Sequence, residues 1–327
     1  MPKRIVVCSD GTWNSKDQRN PTNVVKLHRA TETAAPGEQV ACYDEGVGTQ
    51  GSRWQRLTGG ALGKGLTQNI QDAYRLVAER YEPGDAVFLF GFSRGAYTAR
   101  SAAGMIHNCG ILRPEHLDKL DAAMELYRSE VKPSDQRSVD FRAAYSHPDR
   151  GIKFIGVWDT VGSLGIPGTV ANWLGRRHSE FHDVQLNGSV ENAVHALAID
   201  ERRRSFRPTI WEPSDNFRGE LTQRWFTGVH SDIGGGYGAD ALSDIALAWI
   251  VERAEACGLV VDHGALALNA AHDGTLHDSR GGVPWKWLPG RSRNVEPRPP
   301  DVHPMVDERI ADLACDYQPR NLPAARP

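Results

Sequence analysis

Six short apolar runs punctuate the chain, and each leads into a polar segment rich in turn-forming residues. They are Arg4 to Cys8, Gln39 to Tyr43, Ala86 to Phe90, Gly151 to Trp158, Ala193 to Ile199 and Arg224 to Gly228. The strongest of them lack the alternation of a half-exposed strand, which predicts strands covered on both faces. Helical patterns lie between the runs. Asn23 to Thr31 carries Val24, Val25 and Leu27 on one side, and Leu66 to Tyr81 repeats Ile70, Ala73, Tyr74, Val77, Ala78 and Tyr81 at three-four spacing. Pro114 to Tyr127 reads as another helix. Leu242, Ile245, Ala246, Trp249, Ile250 and Ala254 form an amphipathic one that Gly258 ends. Strands alternating with helices predict an α/β fold: one doubly wound, mainly parallel sheet with helices on both faces, in a single domain over 1–327.

Other stretches lack such periods. Thr58 to Gly65 is glycine-rich but fails as a phosphate loop, because Gly65 follows Lys64 where Ser or Thr is needed; it reads as a flexible loop. Lys132 to Arg150 is polar and irregular. The segments 163–188 and 281–300 fit neither strand nor long helix and are candidate lid or substrate-lining insertions. Their aromatic residues Trp173 and Trp285 are candidates to line an acyl pocket.

Composition narrows the class. Hydrophobic content of 40% and charged content of 24% suit a globular protein, and a net charge of -3 gives no argument for nucleic acid. Cys8, Cys42, Cys109, Cys257 and Cys315 are odd in number and contain no C-x-x-C pair, which fits neither a disulfide framework nor a zinc site. No run approaches the roughly 20 apolar residues of a membrane span, and Ile5 to Cys8 is too short for a signal h-region. The expected location is cytoplasmic as synthesised, with export by a signal-independent route compatible with the same sequence.

The chemistry centres on Gly91-Phe-Ser93-Arg-Gly95, which follows an apolar strand and opens a small-residue helix with Ala96, Ala99, Ala102 and Ala103. Strand, glycine-flanked serine and helix form the context of a nucleophile elbow. Two other strands end in a lone reactive side chain, Asp159 and His230. The order Ser, Asp, His is that of α/β-hydrolases, and a parallel sheet brings carboxyl-end residues to one edge. The expected roles are Ser93 as nucleophile, His230 as base and Asp159 as its orienting acid, with Asp200 in reserve. Backbone N–H groups of Arg94 and Gly11 are the candidate oxyanion donors. Asp10, Thr12, Phe92 and Asp232 join Trp173 and Trp285 as candidate substrate-lining residues. Asp10 either hydrogen-bonds its own loop or meets His230 and Asp232 around a cation.

The motifs Ser9-Asp-Gly-Thr-Trp-Asn14, Tyr43-Asp-Glu-Gly-Val-Gly-Thr49, Gly91 to Arg100, Gly156-Val-Trp-Asp-Thr-Val-Gly162 and Gly228-Val-His-Ser-Asp-Ile-Gly-Gly-Gly-Tyr237 occur in that order. Together with Val302-His303-Pro304, this set resembles an uncharacterised α/β-hydrolase family that includes the phospholipase effectors of bacterial type VI secretion. The resemblance implies a Ser-Asp-His triad at Ser93, Asp159 and His230. The resulting expectation is a serine hydrolase cleaving carboxylic esters through an acyl-enzyme, with no cofactor and no metal. The expected partners are a small ester or lipid and, transiently, a membrane surface. Two readings compete with it: an inactive binding module on the same fold, and a metal-dependent phosphoesterase built on Asp10, His230 and Asp232.

Overall fold

The computed structural model describes residues 2–46, 59–129, 131–161, 185–281, 285–295 and 301–322. Its centre is a sheet of seven strands. In chain order these are β1 (Arg4–Ser9), β2 (Gln39–Asp44), β3 (Ala86–Phe92), β4 (Phe154–Trp158), β6 (Asn192–Ala198), β8 (Glu220–Phe226) and β9 (Asp301–Val302). A separate pair, β5 (Gln185–Leu186) and β7 (Glu212–Pro213), lies apart from it. The spatial order is β2-β1-β3-β4-β6-β8-β9, and every neighbouring pair is parallel. This is the α/β-hydrolase architecture read from the sequence.

Alternate side chains explain why the strands are apolar throughout. Ile5 and Val7 of β1 and Val87 and Leu89 of β3 join one core with helices α2 (Gly59–Ala78), α3 (Arg94–Cys109) and α4 (Leu120–Arg128). Val6 and Cys8, with Phe88, Phe90 and Phe92, face the other way. There they meet α1 (Asn23–Glu32) and a 16-residue helix, Ala241–Ala256. That helix buries Leu242, Ser243, Asp244, Ile245, Ala246, Leu247, Trp249, Ile250 and Val251, so it is covered nearly all round rather than amphipathic. Inside it, Lys26 reaches Asp240 and Asp244 at 2.6 Å each, which neutralises the fully buried Asp244 carboxylate.

Three sequence expectations change. The glycine-rich stretch expected to be a loop is helical from Gly59 onward, so α2 starts earlier than Leu66. The polar stretch 132–150 holds α5 (Gln136–Tyr145), a surface helix burying only Ser138, whose weak apolar pattern hid it. Pro114 to Lys119 is a 3-10 turn kinked at His116, and α4 begins at Leu120. Most of the 163–188 segment, including Trp173, lies outside the described residues, as do 282–284 and 296–300 of the second candidate insertion. No described helix is long and apolar enough to cross a membrane.

Candidate active site

The chain leaves β1 for β2 on one side and crosses from β2 back past β1 to β3 on the other, so the gap beyond β1 and β3 is the topological switch point of the sheet. Ser93 stands there, one residue past β3. Its backbone has φ 58° and ψ −118°, a left-handed conformation that costs a non-glycine residue about 1–3 kcal/mol. Glycine neighbours make the turn possible. A Cβ at Gly91 would run into the Gly95 carbonyl oxygen, and one at Gly95 into the Ser9 carbonyl oxygen. The Ser93 amide donates to the Trp158 carbonyl at 3.0 Å, which ties the turn to β4.

Asp159 follows β4 and also takes a positive φ, 41°. His230 opens α6 (His230–Gly234), beyond β8. The three side chains meet. His230 Nε2 lies 2.8 Å from Ser93 Oγ, and His230 Nδ1 lies 2.6 Å from Asp159 Oδ2. All three are buried, with Ser93 the most exposed at 8%. Burial lowers the proton affinity of His230, and the hydrogen bond and charge of Asp159 only partly restore it. Burial alone would raise Asp159, yet the Arg293 charge and the hydrogen bond to His230 hold its carboxyl well below the usual range.

Arg293 is the main feature that the sequence did not signal. Its guanidinium forks onto Asp159, with Nη1 2.5 Å from Oδ1 and Nη2 2.9 Å from Oδ2. It also donates to the carbonyls of Ala198 and Phe206. The Ala198 amide adds a third donor to Asp159 Oδ1 at 3.0 Å. The loop that carries Arg293 has no periodic pattern, and its register against Asp159 is set only by the folded chain. Phe206 and Glu201 also went unnoticed. The Phe206 ring meets the His230 ring edge-on at 4.9 Å, and Glu201 accepts from the His230 amide while pairing with Arg203.

The remaining candidates divide into structural supports and rim residues. Asp10 does not share a cation with Asp232, because both carboxylates are satisfied by protein donors. Asp10 accepts from the Gly11 amide, Asn14, Thr22 and Tyr43. Burial still pushes it up to about 6. Asp232 accepts from the Val229 amide and from His277, which anchors the His230 loop. Both carboxylates thus brace the loops that carry them. Among the described residues no cluster of His, Cys, Asp and Glu is disposed to hold a metal ion. The Gly11 amide, expected to face an oxyanion, is committed to Asp10 Oδ1 at 2.6 Å. Gly11 nevertheless sits against the nucleophile, since a Cβ there would lie 3.3 Å from Ser93 Cβ. Asp200 is turned toward the Gly228 amide and the Tyr317 hydroxyl, not His230.

Phe92 packs beneath the His230 ring, with centroids 4.6 Å apart, rather than opening to solvent. The Thr12 hydroxyl is buried with no partner. Trp285 packs edge-on against Phe206 at 5.7 Å, one ring removed from His230. Arg94 supplies the first amide of α3 beside Ser93, and its guanidinium lies over the exposed Trp13 ring.

Known proteins share parts of this chain. It is 29% identical over 233 residues to the uncharacterized protein YEL023C of Saccharomyces cerevisiae, covering 64% of this chain and 33% of that protein. The chain thus spans about a third of the length of that curated relative. Among solved structures, an uncharacterized protein from Pseudomonas aeruginosa is similar at 16% identity and TM-score 0.45, over 83% of this chain and 49% of that one. A Tle1 effector bound to the VgrG spike of the type VI secretion system is similar at 18% identity and TM-score 0.41, over 73% and 52%. Esterase 2 of Thermogutta terrifontis, phosphoramylated by tabun, matches at 13% identity and TM-score 0.43, over 80% and 85%. Residues 3–253 match the family described as T6SS, phospholipase effector Tle1-like, catalytic domain, and the chain belongs to that family.

Proposed function

We propose that the protein is a serine hydrolase that cleaves carboxylic esters of lipids by a covalent acyl-enzyme. The observation that carries this reading is the continuous pair of hydrogen bonds from Ser93 Oγ through His230 to Asp159, with the serine on a strained strand-to-helix turn. Family membership supports a lipid ester as the substrate class. His230 Nε2 takes the Ser93 proton as Oγ attacks the ester carbonyl, while Asp159 holds the ring and balances the imidazolium charge. The oxyanion forms beside the Arg94 amide at the start of α3, where the helix dipole favours negative charge. The intermediate then expels the alcohol, which leaves with the proton from Nε2. Water repeats the cycle on the acyl group, releasing the acid and restoring Ser93.

In this reading the whole chain works as one hydrolase unit, with 163–188 and 281–300 as the substrate-lining insertions. Contact with a lipid surface is transient.

The test is Ser93→Ala on p-nitrophenyl butyrate, together with labelling by a fluorophosphonate probe. Turnover should fall by at least about a thousandfold, and label should appear on Ser93 of the unsubstituted protein only. Undiminished turnover by the alanine variant would end the proposal.

A further inference from the structure

Two hydrogen bonds run through the His230 ring, one to Ser93 and one to Asp159, and together they define only a line. An imidazole can still rock about that line, so the groups packed on it must set its plane. Phe92 and Phe206 do so, with ring centres 4.6 Å and 4.9 Å from that of His230. Phe92 ends the buried strand β3 and is held by it. Phe206 closes a three-residue turn, Arg204–Phe206, and is only part-buried, so it needs support of its own. The Arg203 guanidinium gives that support: its central carbon stands 3.5 Å over the centre of the Phe206 ring.

Arg203 is fixed in turn by Glu201, a carboxylate with only 1% of its surface exposed. Arg203 Nε lies 3.0 Å from Glu201 Oε1, Nη2 lies 2.9 Å from Oε2, and the Arg203 amide donates to Oε1 at 2.8 Å. The same carboxylate accepts from the His230 main-chain amide at 3.2 Å and from the Ser279 hydroxyl at 3.0 Å. Burial alone would raise Glu201, yet the hydrogen bonds and charge of Arg203 hold its carboxyl below the usual range, so the pair is ionised at neutral pH. Glu201 comes just past β6, at the sheet edge that also carries Ser93 and Asp159. Its neighbour Asp200, the expected reserve acid, faces Gly228 and Tyr317 instead.

We propose that Glu201 is a positioning residue for the base: it holds the His230 main chain directly and, through Arg203 and Phe206, sets the tilt of the imidazole between Ser93 and Asp159. The proposal deepens the Ser93 hydrolase reading and rests on it for the role of His230. The two charges also act on the ring with opposite sign, since Glu201 favours its protonated form and Arg203 disfavours it. The other charges facing the ring are Asp159 and, through it, Arg293; Asp232 on α6 is taken up by the Val229 amide and His277. Substituting the Glu201–Arg203 pair removes none of these contacts.

The test compares the unsubstituted protein with Glu201→Gln, Arg203→Gln, the double variant carrying both, and Arg203→Lys, on the neutral ester p-nitrophenyl butyrate. In each Gln variant kcat should fall at least about tenfold with KM nearly unchanged, because a tilted base slows proton transfer rather than binding. The acid limb of kcat/KM should move by about 0.5 in pH, a fraction of what a charge in direct contact gives. It should move to lower pH in Glu201→Gln, where the cation is left unopposed, and to higher pH in Arg203→Gln, where the carboxylate is. In the double variant the limb should return to the parent's position while kcat stays low, and Arg203→Lys should keep the limb and lose part of kcat. A purely structural pair gives neither the opposed displacements nor their cancellation. Limbs that coincide with the parent's, or a parental kcat in Arg203→Gln, overturn the proposal. Arg203→Gln decides alone if the Glu201 variant does not fold.

A second arm follows the titration of the His230 ring by NMR in Ser93→Ala protein, with and without each substitution, and needs no turnover. The same opposed displacements should appear there. Their presence without any esterase activity in the unsubstituted protein would remove the Ser93 reading and leave Glu201 and Arg203 acting on His230. Their absence in an active enzyme would overturn the proposal and leave that reading standing.

Discussion

Replacing Arg293 with Gln tests how the charge on Asp159 is managed. In the folded chain the Asp159 side chain is fully buried and holds two partners at once, the charged Arg293 fork and the His230 ring. Removing the guanidinium leaves a buried carboxylate with one ring and one amide as donors, and leaves the Ala198 and Phe206 carbonyls without Arg293. Breaking a buried ion pair on one side costs about 3–5 kcal/mol, a large share of the roughly 5–15 kcal/mol that holds a domain folded. The urea midpoint at pH 7 should therefore drop by an amount equivalent to that range. Asp159 has a depressed folded pKa, so its contribution is present above the ordinary carboxylate pKa near 3.9 and is lost as pH falls through the lower folded value. The gap between variant and parent should accordingly narrow below about pH 4. A purely structural role stops there. If Arg293 also competes with the imidazolium for Asp159, its removal makes His230 easier to protonate, and the acid limb of kcat/KM moves to higher pH. Arg293→Lys, which keeps the charge but not the fork, should return the limb part of the way. A Gln variant whose acid limb coincides with the parent's, measured on a neutral ester, would refute the electrostatic argument whatever happened to stability.

Three further outcomes follow from the same geometry. With burial lowering His230 below its ordinary value near 6.5, the acid limb of the parent enzyme should fall below that pH, as the ring becomes protonated and loses its capacity as base; a profile flat down to about pH 4 would contradict His230 as the base. Gly95→Ala would drive a Cβ into the backbone carbonyl of Ser9, and such overpacking costs about 1–3 kcal/mol or more, so its thermal midpoint should fall clearly; an unshifted melting curve would show that β1 and α3 do not approach as closely as described. Gly11→Ala would crowd the Asn14 amide and the Ser93 side chain, so turnover of p-nitrophenyl butyrate should drop several-fold with little loss of stability; an alanine variant of parental activity would argue that the loop has room to yield.

What the sequence revealed and what it hid have one physical dividing line. Residues placed by an element's end are legible, because a strand's apolar run and its glycine stop are local signals. Ser93, Asp159 and His230 each terminate such a unit, and parallel strands deliver their ends to one edge. The same logic found β1, β3, β4 and β6 to within a few residues. It missed α5, whose exposed surface gives no period to read, and it missed the helical start of α2, where glycines argue against helix locally. Side chains whose role depends on long-range closure were invisible. Arg293 lies 134 residues from Asp159, in a loop without pattern, yet buried Asp159 requires a counter-charge from somewhere. Asp10 and Asp232 also look like chemistry beside a reactive loop. A buried carboxylate first needs donors, and both took theirs from neighbouring amides, hydroxyls and, for Asp232, His277. The useful question for an acidic residue at a strand end is therefore which donors its own loop can supply. Asp10 takes two of its donors, the Gly11 amide and Asn14, from its own loop, whereas Asp159 draws every donor from distant segments: Ala198, His230 and Arg293.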